Sequence, residues 1–245
     1  MRAYIPNIIT IINLLCGCCA IVCVFTQQFS WVLVFFIIGG VADYCDGMVA
    51  RALDVKSTLG KELDSIADMV SFGVLPGAII YMLLVLGGGY SPDIFQFRGT
   101  PGFLLAAFAG LRLAKFNLDT RQSEDFIGLN TPACTIFVVG LMLIHQYNSY
   151  GLGDFVVNTY FLYAVTILFS YLLVSEIPMV SFKFKNFKWK GNERRIIFIL
   201  MAFVLLLLVH EVAFSLHILL YVLFSILDAV LRFRKSGSVQ NNLSE

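Results

Sequence analysis

The stretch that decides the fold reads Asp43-Tyr44-Cys45-Asp46-Gly47-Met48-Val49-Ala50-Arg51 and, after eight intervening residues, Gly60-Lys61-Glu62-Leu63-Asp64-Ser65-Ile66-Ala67-Asp68. Its four aspartates lie in a chain of 245 residues that is 59% hydrophobic and only 13% charged, with a mean hydropathy of +0.84. An aspartate at the centre of a membrane helix costs about 2.5–3.5 kcal/mol on insertion scales. Bound divalent cations are the simplest compensation, so the stretch predicts a metal site in a membrane protein.

The apolar runs around this stretch predict an all-α polytopic integral membrane helical bundle. Their lengths fit eight transmembrane helices, at about 5–25, 29–52, 62–86, 101–116, 131–148, 156–175, 195–210 and 212–231. We expect one membrane domain, residues 1–235, and a polar C-terminal tail, residues 236–245. The first run contains prolyl and polar residues, so it is interpreted as a retained span and not as a cleavable signal peptide.

The basic residues predict the orientation of the bundle. With eight spans, sixteen of the seventeen lysines and arginines fall on one side and only Arg98 falls on the other. Cytoplasmic loops carry such an excess, so both termini and the acidic hairpin should face the cytoplasm. The basic and aromatic segment 183–195 lies between two spans, which is typical of a segment that binds anionic membrane lipids and not nucleic acid. We expect a multi-pass protein of the cell (inner) membrane.

The acidic residues fall on two helical stripes. Asp43 and Asp46 are three residues apart on the second predicted helix, and Asp64 and Asp68 are four apart on the third. A short connection makes these helices neighbours, so the four carboxylates can converge on one pocket. Oxygen-only ligands suit Mg²⁺, Mn²⁺ or Ca²⁺ better than zinc or copper.

Such a pocket is suited to phosphate chemistry. Two cations can clamp a phosphate and stabilise charge on the attacking and leaving oxygens, and Arg51 and Lys61 add positive charge nearby. An aspartate within reach can take a proton from an attacking hydroxyl. Metal-assisted phosphoryl or phosphatidyl transfer is therefore the predicted reaction class. The alternatives are a divalent-cation transporter, which needs polar residues through to the far side, and a structural subunit whose acids are ordinary charges near helix ends.

The pattern D-x-x-D-G-x-x-A-R-x8-G-x-x-x-D-x-x-x-D, met here at every fixed position, resembles the signature of the CDP-alcohol phosphotransferase family. Enzymes of that family join an alcohol to the phosphatidyl group of a CDP-lipid and release CMP. The resemblance implies two divalent cations per site, Mg²⁺ or Mn²⁺, and a homodimer. It implies that Asp43, Asp46 and Asp64 are metal ligands and that Asp68 is a metal-associated general base. The residues expected at the nucleotide and diphosphate are Gly47, Ala50, Arg51, Ser57 and Gly60.

The first span adds a second resemblance. Pro6-Asn7-Ile8-Ile9-Thr10-Ile11-Ile12-Asn13 is similar to the P-N-x-x-T-x-x-N start of many of these enzymes. This similarity implies that Asn7, Thr10 and Asn13 lie near the nucleotide. The alternative is an ordinary helix start, with proline in the first turn.

The acceptor alcohol is indicated by segments after the acidic hairpin. Residues 111–117 and 126–133 resemble the serine-using branch of the family, although Lys115 and Asn130 stand where arginine and proline are commoner. The resemblance implies CDP-diacylglycerol and L-serine as substrates. Arg112, Lys115 and Asn117 are the expected serine contacts, with the Arg112 guanidinium on the carboxylate. Topology alone also explains the two basic residues, and glycerol 3-phosphate or inositol phosphate is the alternative acceptor.

Overall fold

The computed structural model describes residues 4–55, 57–92, 94–118, 126–179 and 193–241. Within them the chain is almost entirely helical. The α-helices are α1 (Tyr4–Phe25), α2 (Phe29–Ala52), α3 (Thr58–Asp68), α4 (Leu75–Gly87), α5 (Leu104–Leu118), α6 (Thr131–Tyr147), α7 (Gly153–Val156), α8 (Thr159–Val174), α9 (Glu193–Val209) and α10 (Val212–Asn241).

The third predicted span is one continuous helix with a π-helical segment in its middle. Helix α3 begins after Ser57, whose hydroxyl accepts a hydrogen bond from the Gly60 amide at 3.2 Å and so caps the helix. The π segment Met69–Val74 follows Asp68 directly and leads into α4. Sequence alone predicts neither the first turn nor the π segment, because the first is polar and the second has an ordinary helical composition.

Helix α4 forms the centre of the bundle. Eleven of its thirteen residues are buried, and it packs against α1, α6 and α8 and against the 3₁₀ turn Phe97–Phe103 that precedes α5. Helix α1 packs along α2 and also along α3, whereas α2 meets the third helix chiefly at the π segment. Helix α1 therefore holds the two acidic helix ends in place while leaving space between them.

A short antiparallel strand pair joins the loop before α6 to the loop after α8. Strand β1 (Phe126–Ile127) pairs with β2 (Pro178–Met179), and Gly128 follows with a φ of +73°. A Cβ on Gly128 would meet the carbonyl oxygen of Ser175, so the close approach of the two loops requires glycine. The pair fixes the start of α6 beside the end of α8.

The helices confirm the predicted membrane bundle. Each of the eight predicted spans is present as a helix, and α10 continues past residue 231 into the predicted polar tail. Among the described residues, four helices are long and apolar enough to cross a membrane by length and composition: α1, α2, the continuous Thr58–Gly87 helix and Val212–Val230. Their outward faces carry apolar side chains such as Ile37 and Leu223, which suit a lipid environment. The basic residues 183–192 lie outside the described residues.

Candidate active site

Three of the four aspartates form a compact group between α2 and α3. One carboxylate oxygen from each of Asp43, Asp64 and Asp68 lies within 4.8 Å of the other two. Asp43 lies near the C-terminal end of α2, and the other two follow the same stripe of α3. The four-residue spacing of Asp64 and Asp68 places both on one face of α3.

The chemistry of this group fits a divalent cation. The group offers carboxylate oxygens only, which Mg²⁺, Mn²⁺ and Ca²⁺ prefer. Oδ1 of Asp68 is buried and has no hydrogen-bond partner in the protein. A buried carboxylate oxygen without a partner is costly, and a cation held by the three acids would satisfy it.

Asp46 lies outside this group and has a different partner. Its side chain is 6% exposed, and its Oδ2 accepts a 2.5 Å hydrogen bond from the Thr10 hydroxyl of α1. That hydroxyl also contacts the Pro6 carbonyl at 3.1 Å. The first helix therefore orients Asp46.

A cavity of about 220 Å³ opens beside the carboxylate group. Its walls come from the start of α1, the end of α2, the connecting loop and the start of α3. The lining residues are Pro6, Asn7, Thr10, Asp46, Gly47, Ala50, Val55, Ser57, Gly60, Lys61 and Asp64. Asp64 belongs to both features, so the cavity and the carboxylate group form one site.

The start of α3 makes the cavity suitable for an anion. The first amides of a helix carry partial positive charge and have no partner within the helix. Gly60 allows α1 to approach here, since a Cβ at this position would lie 3.0 Å from Oδ1 of Asn7. On α2, the Arg51 guanidinium lies over the lining residue Gly47, with Nη1 3.5 Å from where a Cβ would stand. A phosphate in this cavity would lie between positive groups on α2 and α3.

Two residues expected at the nucleotide do not line the cavity. The exposed Arg51 lies at its edge, and Asn13 lies deeper, fully buried between α1 and α2. The Asn13 carboxamide points toward Gly39, and neither its oxygen nor its nitrogen has a hydrogen-bond partner in the protein. The three-residue spacing from Thr10 puts Asn13 on the same face but one turn further from the opening.

The expected serine contacts occupy two different places on α5. Arg112 is 8% exposed, its Nε has no hydrogen-bond partner, and its guanidinium lies 5.9 Å from the centre of the Phe116 ring. It interacts electrostatically with Asp68 and, on α10, with Tyr221. A buried arginine that interacts electrostatically with Asp68 and has an unpartnered Nε is suited to bind an anionic acceptor.

The other two expected contacts lie at the exposed end of α5. Lys115 is exposed to solvent. The Asn117 carboxamide donates a 2.8 Å hydrogen bond to the Ser65 hydroxyl of α3, and the Lys61 ammonium donates to the Asn117 carbonyl at 3.4 Å. These contacts link α5 to α3 beside the cavity. The sequence contains no periodic signal for them, because they join side chains more than fifty residues apart.

The chain matches a known protein family over most of its length. The profile of the CDP-alcohol phosphatidyltransferase family matches residues 3–174. The chain belongs to that family. The match covers the candidate site described above, from α1 to the Arg112 region, and ends before α9 and α10.

Individual members of the CDP-alcohol phosphatidyltransferase family are similar to the chain. The CDP-diacylglycerol–serine O-phosphatidyltransferase of Bacillus subtilis is 34% identical over 181 residues, which is 74% of this chain and 92% of the relative. The enzyme of the same name from Helicobacter pylori is 30% identical over 224 residues, 91% of this chain and 89% of the relative. The one from Mycobacterium tuberculosis is 30% identical over 71% of this chain and 60% of its own length.

Proposed function

We propose that the chain transfers the phosphatidyl group of CDP-diacylglycerol to the hydroxyl of L-serine, giving phosphatidylserine and CMP. The observation that carries this proposal is the shared position of Asp64, which belongs both to the three-carboxylate group and to the wall of the cavity of about 220 Å³. The names of the similar relatives support serine as the acceptor.

The residues divide between two tasks. Asp43, Asp46, Asp64 and Asp68 would hold two divalent cations, Mg²⁺ or Mn²⁺, which would neutralise charge on the diphosphate. The nucleotide and diphosphate occupy the cavity, near Gly60 and the start of α3. The residues that contact or accommodate them are Asn7, Thr10, Asn13, Gly47, Ala50, Arg51, Ser57 and Gly60. The acyl chains stay in the bilayer beside α1 and α2, whose outward faces are apolar.

The reaction requires one proton transfer and one displacement at phosphorus. Asp68 takes the proton from the serine hydroxyl, since its carboxylate belongs to the three-carboxylate group and interacts electrostatically with Arg112 of α5. The hydroxyl oxygen forms a bond to the β-phosphorus, and the bond from that phosphorus to the bridging oxygen breaks. The electron pair of this bond leaves with CMP, which departs through the open cavity.

Arg112 binds the acceptor on the other side of Asp68. Serine brings a carboxylate that a guanidinium can bind with two parallel hydrogen bonds, and the buried Arg112 interacts electrostatically with Asp68 and has an Nε without a partner. Lys115 supplies further positive charge at the exposed end of α5. A phosphorylated acceptor would need more than one buried cation here, and Arg112 is the one buried cation among the residues whose burial the structure describes.

We also propose a multi-pass location in the cell (inner) membrane, with the site and both termini cytoplasmic, and a homodimeric state. The distribution of basic residues supports the orientation, and family resemblance supports the dimer. Labelling of single cysteines from each side of intact cells tests the first. The mass of the purified protein, corrected for bound detergent, tests the second.

An acceptor panel tests the proposed reaction. Purified protein in detergent with CDP-diacylglycerol and Mg²⁺ or Mn²⁺ is supplied with L-serine, glycerol 3-phosphate or inositol phosphate, and released CMP is measured. We expect CMP release with L-serine and a product that co-migrates with phosphatidylserine. CMP release with a phosphorylated alcohol in preference to serine would refute serine as the acceptor and would still support phosphatidyl transfer. A cation transporter would instead release no CMP with any acceptor, and the uncharged, buried α4 beyond Asp68 offers no evident path for one.

A further inference from the structure

We infer that Ser65 and Asn117 are positioning residues that hold Lys61 at the cavity, where the Lys61 ammonium binds the diphosphate of the CDP-lipid. This inference rests on the proposed function and assigns Asn117 to the nucleotide side of the reaction, not to serine. None of the three residues belongs to the aspartate, glycine, alanine and arginine signature of the acidic hairpin.

Lys61 is placed to neutralise a phosphate. Together with Asp46 and Asp64 it lines the cavity, and among the described lining residues it is the one with a cationic side chain. A diphosphate entering beside carboxylates requires positive charge in addition to that of bound cations. An ammonium next to a phosphate forms a short, charge-assisted hydrogen bond that is stronger than one between neutral groups.

The Lys61 ammonium also contacts the end of α5. It donates to the Asn117 carbonyl at 3.4 Å, in an exposed position. Carbonyl oxygens in the last turn of a helix receive no hydrogen bond from a backbone N–H of the same helix, and they carry partial negative charge. The Asn117 carbonyl therefore attracts a cation. A 3.4 Å contact in water is weak, so a phosphate can take the ammonium from it at little cost.

A pair of hydrogen bonds keeps that carbonyl beside Lys61. The Asn117 carboxamide donates to the Ser65 hydroxyl at 2.8 Å, and the same hydroxyl donates to the Lys61 backbone carbonyl at 3.1 Å. The Ser65 hydroxyl is thus used as both acceptor and donor, which fixes its orientation. The end of α5 is thereby attached to the turn of α3 that carries Lys61 and Asp64.

A double-mutant cycle tests the inference. KM for CDP-diacylglycerol and KM for L-serine are measured for Lys61→Ala, Ser65→Ala, Asn117→Ala and the double variant Lys61→Ala/Ser65→Ala. Lys61→Ala should raise the KM for CDP-diacylglycerol about tenfold, and each positioning variant about threefold, with the KM for serine unchanged. The double variant should match Lys61→Ala alone, because Ser65 acts through Lys61.

Two further variants separate positioning from general stability. Ser65→Thr keeps the hydroxyl and should restore the wild-type KM for CDP-diacylglycerol. Ser30→Ala is the matched control, since it removes a helix-to-helix hydrogen bond of the same 2.8 Å length, from Gln146 to Ser30, at the far end of α2. It should leave both KM values unchanged.

The outcomes are distinct. Additive effects in the double variant, or equal effects of Ser65→Ala and Ser30→Ala, would overturn the inference. A raised KM for serine in Asn117→Ala, with no change for CDP-diacylglycerol, would overturn it by returning Asn117 to the acceptor. The same double-mutant cycle can be measured without serine, as the rise in the thermal unfolding midpoint of each variant when CDP-diacylglycerol is added. If the wild-type protein binds the CDP-lipid but releases no CMP with serine, the proposed acceptor is refuted. The thermal-stabilisation measurements still test the role of Lys61 in that case.

Discussion

Helices α3 and α4 are the two halves of the continuous helix Thr58–Gly87, but they differ in how deeply their residues are buried. In α3 one residue of eleven, Ala67, is buried, whereas eleven of thirteen are buried in α4. The π segment Met69–Val74 separates the halves and begins directly after Asp68. Such segments are frequent at functional sites. The comparison indicates that α3 contributes chemistry at the open end of the bundle and α4 contributes stability at its centre.

The largest expected effect is a loss of CMP release on substitution of Asp68 in α3. Asp68→Asn keeps the size of the side chain and removes the carboxylate that accepts the proton. We expect CMP release to fall about 10²–10⁴-fold, while the thermal unfolding midpoint in detergent does not fall. A variant that lost stability together with activity would show that Asp68 belongs to the packing of the bundle instead.

In the other half of the continuous helix, Leu83→Ala should act on stability alone. Leu83 is fully buried, and truncation of a buried leucine costs about 2–5 kcal/mol in the free energy of unfolding. Denaturant unfolding measures this loss, and CMP release per folded molecule should stay within about twofold of wild type. The matched control is Leu59→Ala in α3, which is 66% exposed and should unfold like wild type. Equal losses at both leucines would remove the distinction between the halves.

A smaller and more selective effect, on the KM for L-serine, is expected at Arg112 of α5. Arg112→Ala should raise the KM for L-serine about tenfold or more by removing a buried charged contact, with little change for CDP-diacylglycerol. Arg98→Ala is the control, because Arg98 donates to Tyr90 in an exposed position and lies outside the proposed site. Serine kinetics unchanged by Arg112→Ala would exclude this residue from the acceptor site.

Much of the fold follows from local sequence properties. Apolar length and period place the eight helices, and the predicted bounds 29–52 agree with α2 at both ends. The same period puts Asp43 and Asp46 on one stripe of α2, and Asp64 and Asp68 on one stripe of α3, because side-chain direction along a helix repeats locally. These features need no knowledge of how distant segments pack.

What sequence reasoning did not predict depends on contacts between distant segments. The bond from Thr10 to Asp46 and the link from Asn117 to Ser65 require the relative rotation of separate helices. The same holds for the two-residue strands β1 and β2, which are too short to leave an alternating pattern. Asn13 shares a face with Thr10, and only the packing against Gly39 shows that it lies away from the cavity.

The most direct test of the central claim is removal of divalent cations from the wild-type protein. If the carboxylates of α2 and α3 act through a shared cation, CMP release with CDP-diacylglycerol and L-serine should fall to background after chelation and dialysis. It should return on addition of Mg²⁺ or Mn²⁺, and Asp64→Asn should need a higher concentration of the cation for the same recovery. Undiminished CMP release from cation-free protein would contradict the account.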